Sequence, residues 1–600
     1  MMVRPNNGYD DGMEMTQYQG IETNPYNGME INAYGGIASD DGSEKVAFHH
    51  ATNVYDEDPR SRLRRDLKTR QIAMIALGGA LGTGLLINTG PSLANSGPGS
   101  MLLGYALVGV LCFTVMSAMG EMAAWLPLPS GFTGFAHRFV DPALGFALGW
   151  NYWFKYIITT PNNIIASVLV IRYWFNKAGY DGPGANGAIY VAIILAAIIA
   201  INYFGVGLFG EFEFWLSSAK VLVMLGLIIF TIVLATGAAG SNSRPTGFHY
   251  WNDPGAFAAY KASGGGGRFL GFWNVMTSAV FSYLGAELVG VTVGEAQNPR
   301  RAIPRAVKLT FFRIVFFYIV LILLLGMTVP YNSPQLLSAN TASDETVSAE
   351  ASPFVVAALI AGVDGLPDVI NVCLLIFTFS AANSDLYIAT RSLYSLAIEG
   401  NAPKIFGRTN DKGIPIYALA LSSACCTIAF MSTDVGTFKT FSYFVTLVTI
   451  FGILTWISIL VSHIGFVRAR KAQNIEDTAL AYVSPFGVKG SYAALIFACI
   501  ITFFNGWPTF VHNPVTGEKF DWRNFIVSYI PIPIYLGMIF GYKIIMKTER
   551  VKASDADLFG GKAKIDDDEA EFLAEEMRRK GGVIETKYQK YYRVTLGNFF

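Results

Sequence analysis

Long apolar runs alternate with short polar connections along almost the whole chain. The runs lie at about 71–93, 100–126, 143–175, 187–204, 212–236 and 270–293, then at about 310–330, 368–398, 415–432, 440–465, 490–506 and 525–546. An α-helix rises 1.5 Å per residue, so roughly twenty apolar residues cross the hydrocarbon layer of a bilayer. The pattern predicts an all-α polytopic membrane protein with twelve transmembrane helices.

Two runs are interrupted where the bilayer is deepest. Gly78-Gly79-Ala80-Leu81-Gly82-Thr83-Gly84 places four glycines within seven positions of the first span. Taken alone, the spacing of Gly78 and Gly82 fits close packing of two membrane helices equally well. The sixth run repeats the interruption, with Phe281-Ser282-Tyr283-Leu284-Gly285-Ala286-Glu287 setting glycine and a carboxylate in mid-span. Irregular backbone survives at that depth only when it is buried in protein or lines a cavity, and paired broken helices are the best sequence pointer to a transporter's binding site.

Charge fixes the expected orientation. Arg60, Arg62, Arg64, Arg65, Lys68 and Arg70 immediately precede the first span, which places the N-terminus in the cytoplasm by the positive-inside rule. The connections after the sixth, eighth and tenth spans are also basic, carrying Arg300 and Arg301, Lys404 and Arg408, and Arg468 and Arg470 respectively. Tyr331–Pro367, after the seventh span, has neither Lys nor Arg. Both termini are therefore expected in the cytoplasm. The short connection between the fourth and fifth spans is expected to hold Glu211 and Glu213.

Composition agrees with a membrane solvent, at 52% hydrophobic and 15% charged residues. Forty-four basic side chains balance forty-four acidic ones, so net charge points to no nucleic-acid partner. The five cysteines all fall in apolar runs without metal-ligand spacing, and no metal or cofactor is expected. Residues 1–59 carry two basic against eleven acidic side chains and no sustained apolar period, which predicts a disordered tail. Asp566–Lys580 sets acids first and bases last, the polarity of a short cytoplasmic helix.

In combination the motifs resemble those of the fungal amino-acid permeases, within the amino acid, polyamine and organocation superfamily, from Leu67 to Lys547. They run in order from Leu67-Lys68-Thr69-Arg70 and Gly82-Thr83-Gly84 through Gly120-Glu121-Met122-Ala123 to Ser130-Gly131-Phe132-Thr133. Gly285-Ala286-Glu287-Leu288-Val289-Gly290, Gly294-Glu295-Ala296-Gln297-Asn298-Pro299-Arg300 and Gly400-Asn401-Ala402-Pro403 follow. The resemblance implies a core of two inverted five-helix repeats with helices one and six discontinuous. It divides the chain into a cytoplasmic tail (1–70), a ten-helix core (71–465), two peripheral helices (466–546) and a second cytoplasmic tail (547–600). The tails offer sites for trafficking or ubiquitin machinery.

An amino-acid zwitterion needs oriented partners for both of its charges. Amides at Thr83 and Gly84, opening the second half of helix one, suit a carboxylate, with Gly82 admitting the ligand to the backbone. Carbonyls near Ala80, Phe281 and Leu284 suit the ammonium, and Ser282 lies between them. By resemblance these positions match the superfamily's substrate contacts, and Phe281 its aromatic lid. Lys220, about nine residues into the fifth span and so roughly 14 Å deep, is the leading proton-coupling candidate, and it resembles the lysine that replaces a sodium ion in proton-coupled relatives. Glu287 is the second candidate. Glu121 is a third, by resemblance, with helix capping or pairing to Arg138 as its alternative; His463 is expected to be structural. Asn163, in Pro161-Asn162-Asn163, stands where many relatives carry a glutamate, which argues against cationic substrates and for neutral ones.

The expected function is proton-coupled symport of neutral amino acids across the plasma membrane by alternating access, the proton gradient serving in place of a cofactor. Its alternatives are an amino-acid sensor of the same fold and a transporter of polyamines or other amines.

Overall fold

The computed structural model describes residues 82–562 apart from 129, 181–185, 205, 239–244, 289, 291–298, 342–351, 411, 434–436 and 512–519, with scattered positions between 566 and 578. The expected N-terminal tail, the basic cluster, the first half of helix one with Ala80, and most of the Asp566–Lys580 helix lie outside the described residues.

Helices account for nearly everything described. A single turn, α1 (Thr83–Leu86), is followed by α2 (Thr89–Trp125), a short α3 (Phe132–Phe139) and α4 (Pro142–Ala178). Next come α5 (Gly187–Phe204), α6 (Val206–Ala235) and α7 (Gly264–Tyr283). Then α8 runs from Pro299–Arg313 through a wide turn, Ile314–Val320, to Leu321–Thr328. The remaining long elements are α9 (Leu366–Ile398), α10 (Ile416–Cys426), α11 (Thr437–Ala472), α12 (Gly487–Phe503), α13 (Trp522–Tyr529) and α14 (Pro531–Met546).

Local chemistry sets several boundaries. The Asp141 carboxylate accepts the Ala143 amide at 2.9 Å and Pro142 occupies the first helical position of α4, so an orphan donor is paired and the entry φ is preset. The far end of α4 closes on Gly179 in the left-handed region, φ 63°. Within α2, Gly97 at φ 76° followed by Pro98 marks the corner between the expected first and second spans.

Among the described residues, ten helices are long and apolar enough to cross a membrane. The expected first and sixth spans are absent from those ten: residues 71–81 of the first lie outside the described residues, and the helix of the sixth stops at Tyr283. Two expected loops are instead helical. Glu211 and Glu213 sit inside α6, which begins at Val206, and Glu213 is fully buried. Likewise α11 runs on to Ala472, so Arg468, Arg470 and Lys471 belong to its last turns.

Two helix groups emerge from the packing. One is built on α2 against α7, with α8 beside them; the other on α4 against α9 and α11. Beyond α14, residues 548–562 lie across the ends of both. The Val551 amide donates to the Val140 carbonyl (2.9 Å), Gln473 Nε2 to Ala556 (2.7 Å) and Trp125 Nε1 to Leu558 (2.9 Å), while Arg138 donates to Gly560 and pairs with Asp557. Leu558 is completely buried in that seam.

Candidate functional site

Where α7 stops, the chain stops being a helix. Leu284 adopts φ −60°, ψ 146° and Gly285 φ 95°, a left-handed conformation that glycine tolerates and side-chain-bearing residues avoid. The Gly285 amide, freed by the break, donates to Glu287 Oε2 at 3.1 Å. Across from it Gly82 is extended (φ −128°, ψ −162°) and α1 starts at Thr83. Amides in a first helical turn have no carbonyl of their own helix to bond, so those of Thr83 and Gly84 depend on partners from outside it. With four residues α1 contributes little macrodipole; what it offers an anion is individual N–H groups.

Between these breaks and the facing walls of α4 and α9 lies a cavity. Gly82, Thr83 and Gly84 line one side with Phe281, Ser282 and Leu284; Lys155, Tyr156, Thr159 and Asn163 of α4 line the other, with Ala381 and Asp385 of α9. Of the expected substrate-binding residues, every one that falls among the described residues borders this space. The two glycines play different parts. A Cβ on Gly84 would stand 2.6 Å from Ser282 Cα and 3.1 Å from Phe281 Cδ1, so that glycine lets α1 cross α7; one on Gly82 would meet no described atom within 4 Å. Close packing therefore explains Gly84, and access to the cavity explains Gly82.

The carbonyls expected to be free are partly engaged. Phe281 O accepts the Leu284 amide at 3.3 Å, leaving a second lone pair, and Ser282 O accepts Tyr318 Oη at 2.9 Å. Asn163 joins three elements. Its Oδ1 accepts from Thr83 Oγ1 at 2.8 Å, and its Nδ2 donates to Asp385 Oδ2 at 2.6 Å.

Charges cluster around the cavity in a pattern the sequence reading only half anticipated. Glu287, fully buried, forms an ion pair with Lys155, and its other oxygen accepts Trp456 Nε1 at 3.3 Å. The Lys155 ammonium also lies 4.7 Å from the centre of the Tyr156 ring. Lys220 is fully buried but stands behind the lining, with its ammonium 3.6 Å from Glu213 Oε1; Glu213 in turn accepts Ser380 Oγ of α9 at 2.9 Å. Because α6 starts at Val206, Lys220 lies fourteen residues in, about 21 Å along the helix, deeper than expected.

Glu121 is remote from the cavity. It pairs with Arg470 (3.3 Å), lies 3.2 Å from His463 Nε2 and accepts the Ser484 amide (2.8 Å), which fastens α2 to the end of α11. The alternative pairing with Arg138 is corrected here, since Arg138 bonds Asp557 and Gly560.

Lys155 and Asp385 escaped the sequence reading, and Glu213, expected in a connection, lies within a span. The signal was present: each is an ionisable residue well inside an apolar helix, the criterion that singled out Lys220. Asp385 also changes the argument drawn from Asn163. A carboxylate does stand at that place in the pocket, delivered by α9 and hydrogen-bonded to Asn163 itself.

A sequence profile described as amino acid permease matches residues 71–554. The chain is 47% identical to a dicarboxylic amino acid permease of Saccharomyces cerevisiae, over 91% of its own length and 88% of the relative's. It is 37% identical to a proline-specific permease of Emericella nidulans (84% and 89% covered) and 35% identical to a lysine-specific permease of Saccharomyces cerevisiae (86% and 82%).

Proposed function

Because the chain belongs to the amino acid permease family, a family of membrane transporters and not of enzymes, we propose that it is a secondary active transporter that imports amino acids together with protons. The observation that carries this reading is the cavity between the two helix breaks. It presents N–H groups for a carboxylate, and carbonyl and carboxylate oxygens for an ammonium, around one space. Those walls belong to different helix groups, so sliding one group against the other would open the space to one side and then the other. The reading keeps twelve spans, the ten apolar helices plus the two interrupted ones, arranged as inverted repeats with both termini in the cytoplasm at the plasma membrane. Lys220 and Glu287, each held in an ion pair, are the buried charges that proton coupling needs in place. Glu121 holds α2 to α11.

Acidic amino acids are the substrate class favoured here. The case for neutral ones rested on a missing carboxylate at Asn163, and Asp385 removes that ground. Lys155, with the hydroxyl of Tyr156, gives the α4 wall a cationic, proton-donating face, and the 47% identical relative carries the name dicarboxylic amino acid permease, against 35% for the lysine-specific one. Neutral amino acids stay as the second reading, because Glu287 already balances Lys155.

The test is uptake by purified protein in proteoliposomes, with labelled L-aspartate, L-alanine and L-lysine at two pH values. The expected result is aspartate accumulation that follows an imposed pH gradient. Binding without accumulation would identify a sensor instead.

A further inference from the structure

One charge at the cavity has no counter-ion among the described residues. The ionisable groups gathered there form two balanced pairs, Lys155 with Glu287 and Lys220 with Glu213. Asp385 is the remainder. It is 9% exposed, lines the cavity, and among the described residues no cation lies within ion-pair distance of it; its side-chain hydrogen bond comes from the neutral amide of Asn163 at 2.6 Å. The charges that act on it are Lys155 on α4 and Lys220 and Glu213 on α6, while the neutral Tyr152 and Tyr156 on α4 and Cys426 on α10 lie close enough to respond to its own charge. The two lysines among them are already matched by closer carboxylates.

A buried carboxylate without a counter-ion is costly, and it becomes costlier when a second carboxylate is brought beside it. An acidic amino acid brings two carboxylates and one ammonium, so its net charge adds to that of Asp385. Two carboxylates that share a buried site hold one proton between them.

We propose that Asp385 carries the coupled proton. It takes up one proton from the side of entry, donates it in a hydrogen bond to the side-chain carboxylate of the substrate, and returns to the anion when substrate and proton leave together. The substrate anion and the proton sum to zero charge, so each passage leaves the protein as it began. This inference rests on the reading of the chain as a transporter of acidic amino acids.

The experiment uses the full chain in proteoliposomes with labelled L-aspartate and a gradient of about one pH unit, which one coupled proton converts into about tenfold accumulation. Wild type and Asp385→Glu are expected to reach that ratio. Asp385→Asn, unable to take the proton, is expected only to equilibrate aspartate across the membrane, while still exchanging labelled for unlabelled aspartate with a rate that no longer depends on pH. Should the asparagine variant fail to fold, Asp385→Ser carries the same comparison. Gradient-driven accumulation by either neutral variant overturns the proposal, because the proton then travels elsewhere. So does a well-folded variant that neither binds nor exchanges aspartate at any pH, because Asp385 would then be required as an anion. Failure of wild type itself to accumulate an acidic amino acid overturns the substrate reading, and is distinguishable because it precedes any variant.

Discussion

Two glycines two residues apart should fail in different ways when a methyl group is added. In Gly84→Ala the new Cβ would lie 2.6 Å from Ser282 Cα, which is backbone and cannot swing aside, and 3.1 Å from the Phe281 ring. Ordinary carbon contacts sit near 3.5–4.0 Å, so α1 and α7 must separate by most of an ångström or the backbone must bend; overpacking of this kind costs about 1–3 kcal/mol. In Gly82→Ala no described atom lies within 4 Å of the new group, and the local φ of −128° is open to any residue, so stability should change little. The methyl group would project into space that the pocket needs. Size-exclusion profiles of detergent-extracted protein after graded heating measure the first effect, and substrate affinity measures the second. The expected result is a lower unfolding temperature for Gly84→Ala with measurable binding in the surviving fraction, and a wild-type unfolding temperature for Gly82→Ala with weakened binding. Equal stability of the two variants would refute the separation of packing from access.

Further outcomes follow from the polar contacts. Lys155→Met or Glu287→Gln alone strands a buried charge and should lower stability by about 3–5 kcal/mol, whereas the double variant should lose far less than the sum; thermal unfolding of all three closes the cycle. Lys220→Met leaves Glu213 without its cation, so gradient-driven accumulation should vanish while exchange of bound substrate continues, as counterflow would show. Asn163→Glu sets a second carboxylate beside Asp385 and removes the amide donor; it should reduce aspartate uptake and raise the relative uptake of lysine in a competition panel. Leu558→Ala opens a hole beneath the segment that crosses both helix groups and should cost about 2–5 kcal/mol of stability, read by the same heating assay.

Hydropathy made the helices legible, since each long apolar run has one plausible form in lipid. It also located the end of α7, because Leu284-Gly285 disturbs helix propensity locally, and local effects are what a sequence displays. Helix ends were less legible. Glu213 and Arg470 look like loop residues because they are charged, yet both are buried in helices where Lys220, Ser380, Glu121 and Asp477 answer those charges. Such partners come from distant parts of the chain, and no periodicity reports them. For the same reason Asn163 was read as a missing carboxylate: the residue that supplies it, Asp385, is 222 positions away.

The seam between the two helix groups is held differently from the interior of either. Within a group, α2 meets α7 and α4 meets α9 over extended buried apolar faces, to which polar ties such as Tyr105 to Ser282 and Asn163 to Asp385 are added. Across the seam, at the cavity, the ties are polar: Thr83 to Asn163, Lys155 to Glu287, and Trp456 to Glu287. Separating closely packed apolar faces in a bilayer forfeits many small van der Waals contacts at once, and lipid tails reproduce that packing poorly. A hydrogen bond that opens onto water or a polar ligand is exchanged for another, at a net change of about 0.5–1.5 kcal/mol. A seam built from exchangeable bonds can part where a zwitterion supplies substitutes, while each group moves as a packed unit. That division of labour is what an alternating-access cycle requires of this fold, and it makes the substrate itself one of the groups that close the seam.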